Sequence, residues 1–430
     1  MGRKQAQIHD KIDLHESGEE DGAPIDQLFF NDPDGFMICA TNLIIKKAKY
    51  VFSKFIVQSE KTAKFPKRQM VKTIHTLVLF LFVCLSWQTI QAQQHTWQEA
   101  FQVLGISWNS DGTLNRTIQI PMVDPTPYAD SKPTPTALSQ DIYLSPYNKA
   151  YIRLYIPLNP PKNKKLPLII YLHGGDFVLF SASTVIFHNF CNDIASQLPV
   201  VVASVEYRLA PENRLPAAYD DALNAIFWAK NQALGVGGRD PWMEYADFSR
   251  VYLLGSSAGA NIVYHAALRA LDFDIRPLQI KGLILNQAYF GGLKRTASEI
   301  RLKDDPYVAL YVNDVLWTLA LPKNLNRDHE FCNPISGGTY LGRVFRLPKL
   351  YIKGDYGDPL VDRSVQLVQF LQSCGRNVYY RFNQGGFHGI EIQNRTAAQQ
   401  LYDDIKWFVN DISIAQKLPE GLTTTLHASQ

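Results

Sequence analysis

Gly255-Ser256-Ser257-Ala258-Gly259 has the spacing G-x-S-x-G, in which two glycines let a strand turn sharply into a helix while the middle hydroxyl projects from the apex. Such a pattern arises by chance in roughly one chain in seven of this length if Gly and Ser each make up about 7% of residues, so its setting must carry the weight. The setting fits: the apolar run Val251 to Leu254 precedes it, and Ala258 to Leu271 follows with apolar residues at helical spacing. A serine hydroxyl is a weak nucleophile at neutral pH. It needs a base, and the base needs a carboxylate to fix its tautomer and stabilise its charged form. Downstream, Asp358 lies in Gly357-Asp358-Pro359-Leu360-Val361-Asp362-Arg363 and His388 in Gly385-Gly386-Phe387-His388-Gly389. Upstream, His173-Gly174-Gly175-Asp176-Phe177 is a Gly-rich turn able to aim backbone N–H groups at an oxyanion. The chemistry expected is acyl transfer, with Ser257 as nucleophile, His388 as base and Asp358 as its orienting acid. The backbone N–H groups of Gly174, Gly175, Asp176 and Ala258 form the expected oxyanion hole.

These groups converge only if the elements between them form a sheet with loops at one end. Leu168 to Leu172 and Val200 to Ser204 are short, apolar, β-branched-rich runs, as buried parallel strands should be. Ala217 to Lys230 has helical spacing, Ile280 to Leu285 and Leu350 to Lys353 repeat the strand pattern, and Arg363 to Cys374 reads as a helix closed by Gly375. Asn377 to Phe382 is extended. Strands alternating with helices imply right-handed crossovers and a mostly parallel sheet covered on both faces. Asp358 and His388 then fall at carboxyl ends of strands, where open α/β sheets bind ligands. The stretch 288–346 breaks the rhythm and is better read as a cap than as a plain loop. A second cap element is expected at about 97–140.

Residues from about Trp97 to Leu418 resemble the plant carboxylesterase branch of the hormone-sensitive-lipase group of α/β-hydrolases. The likeness rests on His173-Gly174-Gly175-Asp176-Phe177, Glu206-Tyr207-Arg208-Leu209-Ala210-Pro211-Glu212, Arg214-Leu215-Pro216-Ala217-Ala218-Tyr219-Asp220-Asp221, the serine elbow, Asp358-Pro359-Leu360-Val361-Asp362-Arg363 and Phe387-His388-Gly389. The resemblance implies the α/β-hydrolase fold and hydrolysis of carboxylic esters through an acyl-enzyme. It assigns Asp358 to the triad and makes Asp355 and Asp362 bystanders. Glu206 to Glu212 is read as structural. The family often has Gly or Ala where Asp176 stands and Asp where Ser256 stands. The Asp176 carboxylate must point away from a developing oxyanion, whose barrier it would raise. The same group resembles the gibberellin receptors, which bind a hormone without turnover and lack the triad histidine, and includes relatives acting as lyases or dehydratases. A small, moderately apolar ester is the expected substrate. Phe177, Tyr289, Tyr311 and Trp317 are the expected pocket walls.

With 46% apolar, 12% aromatic and 19% charged residues, the 430-residue chain can bury a sizeable core. A net charge of +3 without a dense Lys/Arg block in the domain argues against a nucleic-acid partner. The five cysteines, at 39, 84, 191, 332 and 374, show no metal-site or disulfide spacing, and neither metal nor cofactor is expected. Residues 1–69 are assigned no domain and 419–430 read as a tail. Residues 70–92, a basic start, an apolar run from Leu77 to Trp87 and a small residue before Gln93, have the layout of a signal peptide or anchor. They suggest a secretory route or membrane association through residues 74–91, with a cytoplasmic location as the alternative. The run is shorter than the ~20 residues of a comfortable span.

Overall fold

Runs that are apolar along their whole length, with no polar face to show to water, become the middle strands of a sheet. The computed structural model describes residues 96–410, apart from 119, 132–134, 145–149 and 340, together with 421, 423 and 424. The expected segment at 70–92 lies outside the described residues. Among the described residues no helix is long and apolar enough to cross a membrane.

A short hairpin, β1 (Ile106–Trp108) with β2 (Leu114–Arg116), stands apart from the main sheet. The main sheet contains β3 (Ala137–Tyr143), β4 (Tyr151–Pro157), β5 (Leu166–Leu172), β6 (Val201–Val205), β7 (Ala246–Ser256), β8 (Ile280–Asn286), β9 (Lys349–Asp355), β10 (Val378–Asn383) and β11 (Thr423–Thr424). Their order is β11-β10-β9-β8-β7-β5-β6-β4-β3. The run from β10 to β6 is parallel, and the flanking strands pair antiparallel. The parallel core and its alternating helices are those of the α/β-hydrolase fold.

Side chains alternate across the pleat, so Leu168, Ile170 and Leu172 pack into one core cluster and Ile169 and Tyr171 into the other. Helices α3 (Ala217–Leu234), α4 (Ala258–Ala270) and α7 (Val361–Ser373) contribute to the first cluster. Helices α2 (Val185–Gln197) and α9 (Arg395–Val409), the latter following the short α8 (Ile390–Gln393), contribute to the second. The sheet is thus covered on both faces.

Two differences from the sequence reading have physical causes. Strand β7 starts at Ala246 rather than Val251. Its first stretch, with Asp247 and Arg250, is polar and half-buried, and the pairing shifts register between Val251 and Tyr252. Strand β3 begins inside the expected first cap region, because an edge strand buries only alternate residues, here Ala137 and Ser139, and lacks the continuous apolar run of a central strand. What precedes it is α1 (Trp97–Leu104), started by a Thr96/Glu99 capping box and stopped by left-handed Gly105. The second cap region holds α5 (Ala297–Arg301) and α6 (Leu310–Ala320), and α1 packs against α6.

Candidate active site

The serine elbow is a close approach of two glycines. A Cβ on Gly255 would run into the backbone of Gly259, and one on Gly259 into the carbonyl of Leu172 at the end of β5. Only glycines allow β7 to turn this tightly into α4. Ser257, between them, is held at φ 55°, ψ −121°, a conformation rare for a residue with a side chain and characteristic of strained functional turns. Its N–H donates to the Asn286 carbonyl at 2.9 Å and its own carbonyl accepts from Tyr289 at 3.1 Å, which fixes the elbow against the end of β8.

Ser257 Oγ lies 2.9 Å from His388 Nε2, and His388 Nδ1 lies 2.8 Å from Asp358 Oδ2. The other Asp358 oxygen accepts from the Leu360 N–H at 2.8 Å. Asp358 is buried, and the His388 side chain is 11% exposed. Burial disfavours a charged imidazole, but the Asp358 carboxylate outweighs it, with Asp176 and Glu391 adding to the effect, and raises the His388 pKa above its usual 6.5. Desolvation raises Asp176 to about 6, partly offset by His388.

The turn after β5 lies against the serine: a Cβ on Gly174 would sit 3.3 Å from Ser257 Cβ. Gly175, at φ 110°, has no room for a side chain beside the Leu179 carbonyl. The N–H groups of Gly174, Gly175, Asp176 and Ala258 donate to no acceptor among the described residues. Unspent amides beside a nucleophile, one of them at a helix N-terminus, are suited to a developing negative charge.

A cavity of about 260 Å³ opens over Ser257 and His388, with Leu179, Phe180, Ile186, Phe187, Phe190 and Tyr307 among its walls. Of the four expected wall residues, none lines it. Phe177, Tyr289 and Trp317 are fully buried; Tyr289 stacks on Trp317 at 4.8 Å and Phe177 meets Trp317 at 5.4 Å, so these rings pack the core. Tyr311 is half-buried and packs against the same core. The walls come instead from α2 and the turn before it, and from Tyr307 and Val308 just before α6.

The two aspartates read as bystanders touch neither Ser257 nor His388, yet both are anchors. Asp355 pairs with buried Lys353 Nζ at 2.6 Å and accepts from Gln287 and Asn383. Asp362 accepts from the Ser298 N–H at 2.7 Å while Arg363 pairs with Glu299 at 2.8 Å, bracing the Asp358 turn against α5. In the Glu206 to Glu212 segment, Tyr207 Oη donates to the His173 carbonyl at 3.0 Å and Glu212 pairs with Arg116 at 2.7 Å. Among the described residues no cluster of His, Cys, Asp and Glu is arranged for a metal ion.

A family model described as alpha/beta hydrolase fold matches residues 169–392. Probable carboxylesterase 8 of Arabidopsis thaliana is 43% identical over 321 residues, covering 73% of this chain and 94% of that protein. The 3-O-acetylpapaveroxine carboxylesterase CXE1 of Papaver somniferum is 42% identical over 311 residues, 70% of this chain and 93% of that protein. An esterase structure from Pyrobaculum calidifontis superposes with a TM-score of 0.53 at 25% identity, over 63% of this chain and 84% of that one. With its elbow, its sheet order and relatives that match over nearly their full length, the chain belongs to the α/β-hydrolase fold family, among the plant carboxylesterases.

Proposed function

We propose that this chain, a carboxylic-ester hydrolase by family, cleaves small, moderately apolar esters through an acyl-enzyme on Ser257. The observation that carries the reading is the hydrogen-bonded line from Ser257 Oγ through His388 to Asp358, at 2.9 and 2.8 Å. His388 Nε2 takes the Ser257 proton as Oγ attacks the ester carbonyl carbon, and Asp358 stabilises the resulting imidazolium. The carbonyl oxygen, now negative, accepts from the N–H groups of Gly174, Gly175, Asp176 and Ala258. The imidazolium then protonates the departing alkoxide. Water, deprotonated by His388, releases the acid and restores Ser257.

The cavity supports the proposed substrate class. At about 260 Å³ it falls below the ~300–1,000 Å³ of pockets for drug-sized ligands. Its walls are mostly apolar. The poppy relative is named for an O-acetyl ester, a small acyl group of the kind this cavity would hold. Product analysis with short acyl esters tests the reading. Acid plus alcohol in equal amounts is expected; tight binding without turnover would indicate a receptor, and an unsaturated product in place of the alcohol a lyase.

For residues 70–92 the reading is a secretory or membrane route. Asn115-Arg116-Thr117 and Asn394-Arg395-Thr396 have the N-x-T pattern of N-glycosylation acceptors; both asparagines are exposed, and Asn394 uses only its Oδ1 to cap α9, leaving its nitrogen for a glycan. N-terminal sequencing and a glycosidase shift on protein from its native source test this. An unglycosylated chain retaining residues 70–92 in the cytosol would overturn it.

A further inference from the structure

His388 sits in a loop with little stiffness of its own: Gly385, Gly386 and Gly389 all have positive φ, a region that glycine enters without strain but in which it is not held. Something outside the loop must set where the imidazole stands. Asp358 meets the ring and the Gly357 N–H donates to the Gly385 carbonyl at 2.8 Å, while the backbone on either side of His388 is met by Gln287, immediately after β8, itself at φ 46° and only 2% exposed. Its Oε1 accepts from the Gly389 N–H at 2.7 Å and its Nε2 donates to the Phe387 carbonyl at 2.9 Å. One planar amide therefore grips the backbone on both sides of His388. The other N–H of Nε2 donates to Asp355 Oδ2 at 2.7 Å, and Asp355 is fixed by buried Lys353 and by Asn383 at the end of β10. The neighbouring Asn286 accepts from the Ser257 N–H through its carbonyl and donates from its side chain to Ser256 Oγ at 3.2 Å and to Glu391. The end of β8 thus holds the serine elbow with one residue and the histidine loop with the next.

We propose that Gln287 is a positioning residue for His388, its side-chain amide setting the distance from the imidazole to Ser257 Oγ. This rests on the reading of His388 as the general base. A buried amide with both N–H groups and its oxygen engaged has one orientation, and a flexible loop tied to it at two points has lost most of its freedom. Displacements of about 1 Å in reacting groups can cost about 10²-fold in rate, which sets the scale of the effect.

The test uses the full chain with Gln287→Met, which keeps length and volume but makes none of the three bonds, and Gln287→Asn, which keeps the amide but falls one methylene short. The expected result for Gln287→Met is a kcat lower by about 10- to 100-fold with KM within about threefold. The pH profile of kcat/KM should shift, and the downfield proton resonance of the His388–Asp358 hydrogen bond should broaden or move. Gln287→Asn should show the same signature to a smaller degree, and it stands in if the Met variant does not fold. A folded variant of either kind with wild-type kcat, pH profile and proton resonance would overturn the proposal, as would a lowered melting temperature with kcat per active site unchanged. Failure of the underlying reading looks different: ester turnover would survive His388→Ala.

Discussion

Asp358→Asn separates orientation of the base from stability of the fold. One Asp358 oxygen faces His388 Nδ1 at 2.8 Å and the other accepts from the Leu360 N–H at 2.8 Å. An asparagine cannot serve both. If its oxygen keeps Leu360, its NH2 faces Nδ1. The imidazole must then carry its proton on Nε2, where it cannot accept from Ser257. If the amide flips, two donors meet at Leu360, and the buried N–H left unsatisfied costs about 1–3 kcal/mol. The neutral amide also supplies none of the charge that stabilises the imidazolium. A loss of about 10⁴-fold in kcat is expected, the size seen when such an acid becomes an amide elsewhere. Asp355→Asn is the control. It takes away the charge that pairs with buried Lys353 and should lower stability by about 3–5 kcal/mol, while acting on His388 only through Gln287 and so lowering kcat by no more than the ~10- to 100-fold expected of Gln287→Met. Steady-state kinetics on p-nitrophenyl acetate, beside thermal melts of the same preparations, read both effects. If Asp355→Asn proves the more damaging to kcat, or Asp358→Asn stays within about tenfold of wild type, the assignment of the acid is refuted.

The pH dependence follows from His388, which acts only when neutral. Because its pKa is raised, kcat/KM should fall with decreasing pH along a limb centred above 6.5, and Asp176→Asn should move that limb to lower pH by removing one of the charges that raise it. Acetyl to butyryl esters should be turned over about tenfold or more faster than decanoyl esters, and Ile186→Ala, on the cavity wall, should narrow that gap; equal rates across chain length would contradict the assigned cavity. Gly259→Ala should abolish correctly folded enzyme, seen as loss of both activity and a cooperative melt, since its Cβ has no place beside the Leu172 carbonyl.

The chemistry-bearing residues were readable because each sits in a short local pattern with a backbone requirement: the glycines beside Ser257 exist for a close approach, and Pro359 and the glycines around His388 mark loops at strand ends. The central strands were readable because burial on both faces leaves an unbroken apolar run, as in β5 and β6. Edge strand β3 was missed, as was the polar start of β7, since half-buried chain carries a weaker pattern; β4, buried at all but its first residue, was missed because Arg153 interrupts its apolar run. The cavity walls could not be placed from sequence. An aromatic at 177 and one at 180 look alike, and only the turn after β5 decides that Phe177 enters the core while Phe180 faces the cavity. Gln287 was missed for a related reason: its role depends on partners about a hundred residues away, and its one sequence signal is its place at the carboxyl end of a parallel strand.

The most direct test of the central claim is to react the enzyme with an organophosphonate ester and map the adduct by mass spectrometry, alongside the turnover of Ser257→Ala. A single adduct on Ser257, with the alanine variant unlabelled and at least about 10⁴-fold slower, is the predicted result. An adduct on Ser256 or any other serine, or near-normal turnover in Ser257→Ala, would contradict it.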